Sequence, residues 1–180
     1  LLIDHAKKIG EKIRISGGGR CNFTNIHTTP ANFLSQNPHF CKSALARYTP
    51  KDFISLVQKH GITYHDKGQG QLFCDDKATQ IVDMLVKECE QSKVIFWTGT
   101  AVQGVQKNGD GFAVATDKGV VYTPALVVAT GGLSIPKIGA TSFGYKIAEQ
   151  FGHAIIPTRA ALVPLTFTDA IAGLCAELTG

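Results

Sequence analysis

The sequence predicts an α/β protein with a parallel sheet and a β-meander, on three observations. Leu1-Leu2-Ile3-Asp4 is an apolar run that meets an acid, as strands do where they leave a sheet covered on both faces. Ala125 to Thr130 is a second, almost wholly apolar run, ending in Gly131-Gly132, and is also expected to be a parallel strand buried on both faces. Between them, Asn108-Gly109-Asp110-Gly111 and Asp117-Lys118-Gly119 punctuate short segments, the pattern of antiparallel strands joined by tight turns.

The elements follow in order. Residues 5–50 read as loop, interrupted by Gly10, the triplet Gly17-Gly18-Gly19, Pro30, Pro38 and Pro50. Thr49-Pro50 supplies an N-cap and a first-turn proline, and Phe53, Leu56 and Val57 give one apolar face before Gly61 stops the helix. Ile62–His65 and Gln71–Cys74 flank a Gly-bearing loop and predict a hairpin. Asp75-Asp76 is placed to cap a second helix, in which Ile81, Val82, Leu85, Val86 and Cys89 recur at helical spacing up to about Gln91.

Strands are expected at Lys93–Thr98, Ala101–Gln106, Gly111–Thr116 and Val120–Thr123, the last three forming the meander. Beyond the apolar strand, a loop to Gly139 leads to a helix from about Phe143 to Phe151 with Gly152 as its stop. His153–Ile156 reads as one more strand, and a new domain opens at residues 166–180. With no initiator Met before Leu1 and no tail after Gly180, the chain reads as a fragment of a longer protein.

Composition bounds the function. At 180 residues, 44% of them hydrophobic and 18% charged, the chain has the makings of one globular core. The formal charge of +4 is dispersed without a Lys/Arg block, so no nucleic-acid partner is expected. No apolar run approaches the roughly 20 residues of a membrane span, no leader pattern precedes the fold, and the expectation is a cytoplasmic protein without a membrane partner. Five cysteines without a CxxC pair and six histidines without ligand spacing argue against a disulfide framework and a metal site. No catalytic triad is assigned.

The densest motif is "RISGGGRCN", Arg14 to Asn22. Glycines let backbone amides approach a ligand closely and adopt positive φ. A flexible linker would run on into polar low-complexity sequence, whereas this run continues into Arg20-Cys21-Asn22-Phe23-Thr24-Asn25, rich in fixed donors and acceptors. Arg20 is either a bidentate phosphate partner or a structural salt bridge. Cys21 is either a packed small residue or a thiol activated by its arginine neighbour. Asp4, at a strand tip, is either a ribose-binding acid or a solvated one.

The Ile9–Asn25 run, "GQLFCDD" (Gly70 to Asp76), "ATGGLSIPKIGATSFGY" (Ala129 to Tyr145) and "ALVPL" (Ala161 to Leu165) together resemble a bacterial family of NAD(P)/FAD-dependent, aminoacetone-oxidase-type flavoproteins. The resemblance implies an FAD/NAD(P)-binding Rossmann-like domain of the glutathione-reductase class over residues 1–165, with residues 166–180 beginning an inserted β-barrel-like domain. By that likeness Asp4 holds the adenosine ribose, Lys12, Ser16, Gly17, Gly18, Gly19, Arg20, Cys21 and Asn22 line the flavin side, Val102 touches the adenine, and Ala129, Thr130, Gly131 and Gly132 border the cofactor. The first βαβ glycine fingerprint and a C-terminal segment for the ribityl chain lie outside this sequence, which implies half a site. The activity implied is an FAD-dependent oxidoreductase passing electrons or hydride between a small organic substrate or NAD(P)H and an acceptor. The alternatives are an NAD(P)-dependent dehydrogenase without flavin, and a non-catalytic flavin- or RNA-associated module, against which stands the lack of a visible basic stripe with interleaved aromatics.

Overall fold

The computed structural model of the protein describes residues 1–159 and 168–177. The chain divides into two units, Leu1–Thr141 and Ser142–Gly180.

In the first unit, strand β1 (Leu2–Ile3) pairs in parallel with β5 (Phe96–Trp97), Leu2 opposite Phe96. Backbone bonds from Leu2 N to Ile95 O (2.8 Å) and from Asp4 N to Trp97 O (3.0 Å) extend the pairing by a residue at each end. The expected strand over 93–98 thus shrinks to Phe96–Trp97, because β1 offers no longer edge to pair with. The meander forms as anticipated: β6 (Val102–Asn108), β7 (Gly111–Thr116) and β8 (Gly119–Thr123) run antiparallel in that order. Val105 and Val114 face each other across it and are buried.

A second antiparallel sheet has the order β2-β4-β3. The hairpin of β3 (Tyr64–Asp66) and β4 (Gln71–Cys74) is the expected one, and β2 (Asn22–Asn25) joins β4's other edge. The segment expected to be loop contains β2 and two short helices, α1 (Glu11–Ile15) and α2 (Lys42–Arg47). Helices this short are not stable by local propensity, since nucleation outweighs a few propagating bonds; packing supports α1, which lies against α4 (Thr79–Gln91).

Helix α3 (Pro50–Lys59) begins where the Thr49-Pro50 signal placed it, and α4 ends at the expected Gln91. Asp75 and Asp76 do not cap α4; its N-cap residue is Ala78. The chain bends past β4, with Asp75 N bonded to Thr63 O (3.1 Å) and Ala78 N to Gly19 O (2.7 Å), which postpones the first helical turn. Val57 of α3 and Ile81 and Met84 of α4 close on Cys21, Cys74 and Ile62 to form the core, flanked by Phe23, Phe53 and Tyr64.

The apolar segment Ala125–Thr130 is not a strand. Val127 is 85% exposed and Val128 43%. A strand needs a neighbour's N–H and C=O groups, and none of the described strands pairs with this segment; apolar composition signals a demand for burial without supplying a partner.

In the second unit, α5 (Phe143–Gln150) buries Ile147 and is followed by Gly152 at φ +82°, as the sequence anticipated. His153–Ile156 forms no strand, for the same want of a described partner. The last helix, α6, spans Asp169–Glu177. The Ala161–Leu165 motif and the expected boundary between residues 165 and 166 lie outside the described residues.

Candidate functional site

The RISGGGRCN run is a tight, rigid turn. Helix α1 starts after Gly10, whose left-handed backbone (φ +76°) sits against Val82. It ends at Ile15, and Gly17, Gly18 and Gly19 follow at φ +58°, +66° and +85°. Left-handed backbone is open to glycine and costly to residues with a Cβ. Cys21 adopts it too, at φ +53°, and its amide is bonded to Ser16 O at 3.0 Å, which closes the turn. A Cβ on Gly17 would stand 2.7 Å from the Phe73 ring and 2.8 Å from Asn22 N, whereas none at Gly18 or Gly19 would meet an atom within 4 Å. The turn is therefore packed against β4 on one side and presents bare backbone to open space on the other.

Beside it lies a cavity of about 250 Å³, with Lys12, Ser16, Cys21 and Asn22 as its more polar lining and Phe23 and Phe53 among its apolar walls. Four of the residues singled out by sequence thus meet at one place. The apolar walls, to which Ile13, Ile81 and Leu85 also belong, were not among them, because they read as ordinary core positions. An apolar cleft with few polar groups is the usual form of a small-molecule site. Lys12 Nζ also donates to Ser134 Oγ at 3.0 Å, tying α1 to the segment just past Ala129–Gly132. Within that segment Ala129, Thr130 and Gly131 are exposed and Gly132 half-buried.

Asp4 and Val102 stand apart from the cavity, at the end of the parallel pair. Asp4 Oδ1 accepts from Ala6 N at 2.8 Å, and Asp4 O accepts from Thr100 N at 3.0 Å, two residues before Val102. The Asp4 carboxylate is part-exposed and already orders the turn that follows β1.

The electrostatics divide the motif. Burial pushes the Cys21 thiol up, with a hydrogen bond from Ser16 opposing, and pushes Cys74 up to about 11. Both therefore stay protonated near neutral pH, which sides with packed thiols over an activated nucleophile. Arg20 is exposed. Its charge reaches Asp75, whose carboxyl is held below its ordinary range first by hydrogen bonds from His65 and Thr63 and only last by Arg20.

A family profile described as "HI0933-like protein Rossmann domain" matches residues 1–173. Among curated proteins, the chain is 61% identical over 166 residues to "Ribosomal RNA dihydrouridine synthase" of Escherichia coli (strain K12), covering 92% of this chain and 42% of that protein. The protein of the same name from Haemophilus influenzae is 54% identical over 172 residues, covering 93% and 43%. "3-Dehydro-bile acid delta(4,6)-reductase" of Clostridium scindens is 26% identical over 164 residues, covering 91% and 40%. The chain thus spans less than half the length of these relatives. Among solved structures, the open conformation of a flavocytochrome c3 fumarate reductase matches with a TM-score of 0.53 at 18% identity, covering 84% of this chain and 36% of that one, a likeness of fold alone. The expectation that no nucleic acid is involved, formed from the dispersal of basic residues, is overturned by two relatives above half identity that are named for ribosomal RNA. By its match over residues 1–173, the chain belongs to the HI0933-like family, with the Rossmann-type α/β fold that its parallel strands and meander display.

Proposed function

We propose that the chain is the cofactor-facing part of a flavin-dependent reductase that saturates uridine in ribosomal RNA. The observation that carries the cofactor is the Gly18-Gly19 turn, whose left-handed backbone leaves nothing within 4 Å of where a side chain would stand. Such a turn lets a flat or anionic group come close to the main chain, and the adjoining cavity has the apolar walls and sparse polar rim that a heteroaromatic ring takes. The residues present fit FAD on that ground. The substrate class comes from the relatives at 61% and 54% identity, which favours RNA over the small-amine oxidation of the aminoacetone-oxidase type.

In this reading Lys12 and Ser16 to Asn22 face the flavin ring, Asp4 the adenosine ribose, Val102 the adenine, and Ala129–Gly132 the cofactor's edge. Bound FAD supplies the two-electron reduction, recharged by NAD(P)H. The chain's own residues bind and orient. The Lys12 ammonium, held by Ser134, places a positive charge beside the cavity, where it favours an anionic ring edge. Phe23 and Phe53 would supply apolar contact to the ring, and Cys21, its thiol pushed up by burial, would pack without acting as a thiolate.

The test uses the full-length protein with NADPH and ribosomal RNA lacking dihydrouridine. A mass gain of two hydrogens in a uridine-containing fragment is expected, along with released FAD. Replacing Gly18 by leucine is expected to lower flavin occupancy or shift its potential. Unchanged occupancy and potential remove the glycine turn from the site, and absence of both flavin and mass gain overturns the function.

A further inference from the structure

No acidic residue occurs between Glu11 and Asp52, a stretch that contains Lys12, Arg14, Arg20, Lys42, Arg47 and Lys51. With six cations here and a formal charge of +4 overall, the remaining residues carry a net −2. The middle of this acid-free stretch, Ile26–Tyr48, has no buried residue, and every residue from 31 to 40 is exposed. Phe40 is 82% exposed, Tyr48 53% and Phe33 47%, with Leu34 at 94%.

The segment is nonetheless ordered, by bonds of its own. Ile26 N is tied to Gly70 O at 3.0 Å, and the far end runs into the Thr49–Asp52 capping box of α3. In between, Thr29 N donates to Asn32 Oδ1 (2.8 Å), His39 N to Asn37 Oδ1 (3.0 Å), and the Cys41 thiol to Pro30 O (3.9 Å). Large rings held out in water mark a surface that meets a partner. An arm with cations and amides but no carboxylate selects a polyanion over an ordinary protein surface, and rings interleaved with cations are how single-stranded nucleic acid is held, by base stacking and phosphate pairing.

We propose that Ile26–Tyr48 is an RNA-docking arm: Phe33, Phe40 and Tyr48 stack on unpaired bases, while Lys42 and Arg47 pair with phosphates. The proposal rests on the reading of ribosomal RNA as substrate, and it assigns to that substrate residues that do not line the cavity.

The experiment measures the affinity of the full-length protein for a fluorescently labelled, uridine-rich single-stranded RNA by anisotropy. Phe40→Ala and Tyr48→Ala are each expected to weaken binding about tenfold, within the range of base–aromatic stacking, and Phe40→Tyr to keep it. Changing both Lys42 and Arg47 to Gln is expected to flatten the slope of log affinity against log salt by about 0.7 per cation removed. Flavin content and reduction by NADPH stay at wild-type values in all of them. Wild-type affinity and slope in every variant overturn the proposal. If such variants instead turn a dimer into a monomer with RNA binding intact, the arm covers a second copy and the proposal falls. Full-length protein that neither binds nor reduces RNA removes the function and the arm together, whereas RNA reduction insensitive to the arm removes the arm alone.

Discussion

Gly17 and Gly18 are neighbours with the same left-handed backbone, yet a side chain would meet different surroundings at each. An alanine at either position takes on backbone strain of about 1–2 kcal/mol. At Gly17 its Cβ also meets the Phe73 ring and the Asn22 amide, and forcing atoms into a packed place costs typically a further 1–3 kcal/mol. In urea unfolding of the full-length protein, Gly17→Ala is therefore expected to lose about 3 kcal/mol and Gly18→Ala about 1. Equal losses would remove Phe73 as the reason for the first glycine. The triplet was legible in the sequence as a rigid, backbone-presenting turn. Phe73 beneath it was not, because that contact exists only through the pairing of β2 with β4, where Asn22 stands opposite Phe73. The left-handed backbone of Cys21 had no signal either, since residue type announces positive φ only for glycine and, weakly, asparagine or aspartate.

At the scale of elements, legibility followed length and local chemistry. Helix α3 was readable because its start is written into four residues: Thr49 N donates to Asp52 Oδ2 at 2.7 Å, and Asp52 N donates to Thr49 Oγ1 at 3.3 Å. Removing that hydroxyl with Thr49→Ala is expected to cost about 1 kcal/mol, while Thr49→Ser retains nearly all of it; chemical denaturation of the two variants checks the difference, and equal stability would mean that Pro50 alone sets the helix start. Strand β2 and helices α1 and α2 were unreadable because none carries enough residues to show a period, nor the Gly-bearing loop that marks the equally short β3 and β4. Asn22–Asn25 is a strand because β4 offers it an edge. Ala125–Thr130 is the converse, strongly apolar yet unpaired among the described residues. Burial on both faces was inferred from composition, but hydrogen-bond partners are a property of the assembled sheet.

For the whole molecule, a net charge of +4 hid an acid-free, basic stretch over residues 12–51 set against a mildly acidic remainder, and the nucleic-acid expectation failed on that average. Three of the acids outside that stretch are engaged in hydrogen bonds that lower their pKa. Asp52 is held below its ordinary range by the side-chain hydroxyl and backbone N–H of Thr49, Asp75 chiefly by hydrogen bonds from His65 and Thr63, and Glu88 by hydrogen bonds from His60 and Lys59, with His60 Nε2 2.6 Å from its Oε1. A carboxyl whose folded pKa lies below its unfolded one binds fewer protons folded than unfolded. Its stabilisation is fully present above the unfolded value, about 4, and is lost as pH falls through the lower, folded value. The unfolding temperature of the full-length protein is therefore expected to drop as pH falls below about 4.5. The combined variant Asp52→Asn, Asp75→Asn, Glu88→Gln is expected to melt lower than wild type at neutral pH and to fall less steeply on acidification. Because these groups face solvent, molar salt should narrow the difference between the two curves by screening. Calorimetry across the acid range at low and high salt reads both effects; parallel acid limbs for wild type and variant would show that these three carboxylates do not set the molecule's acid stability.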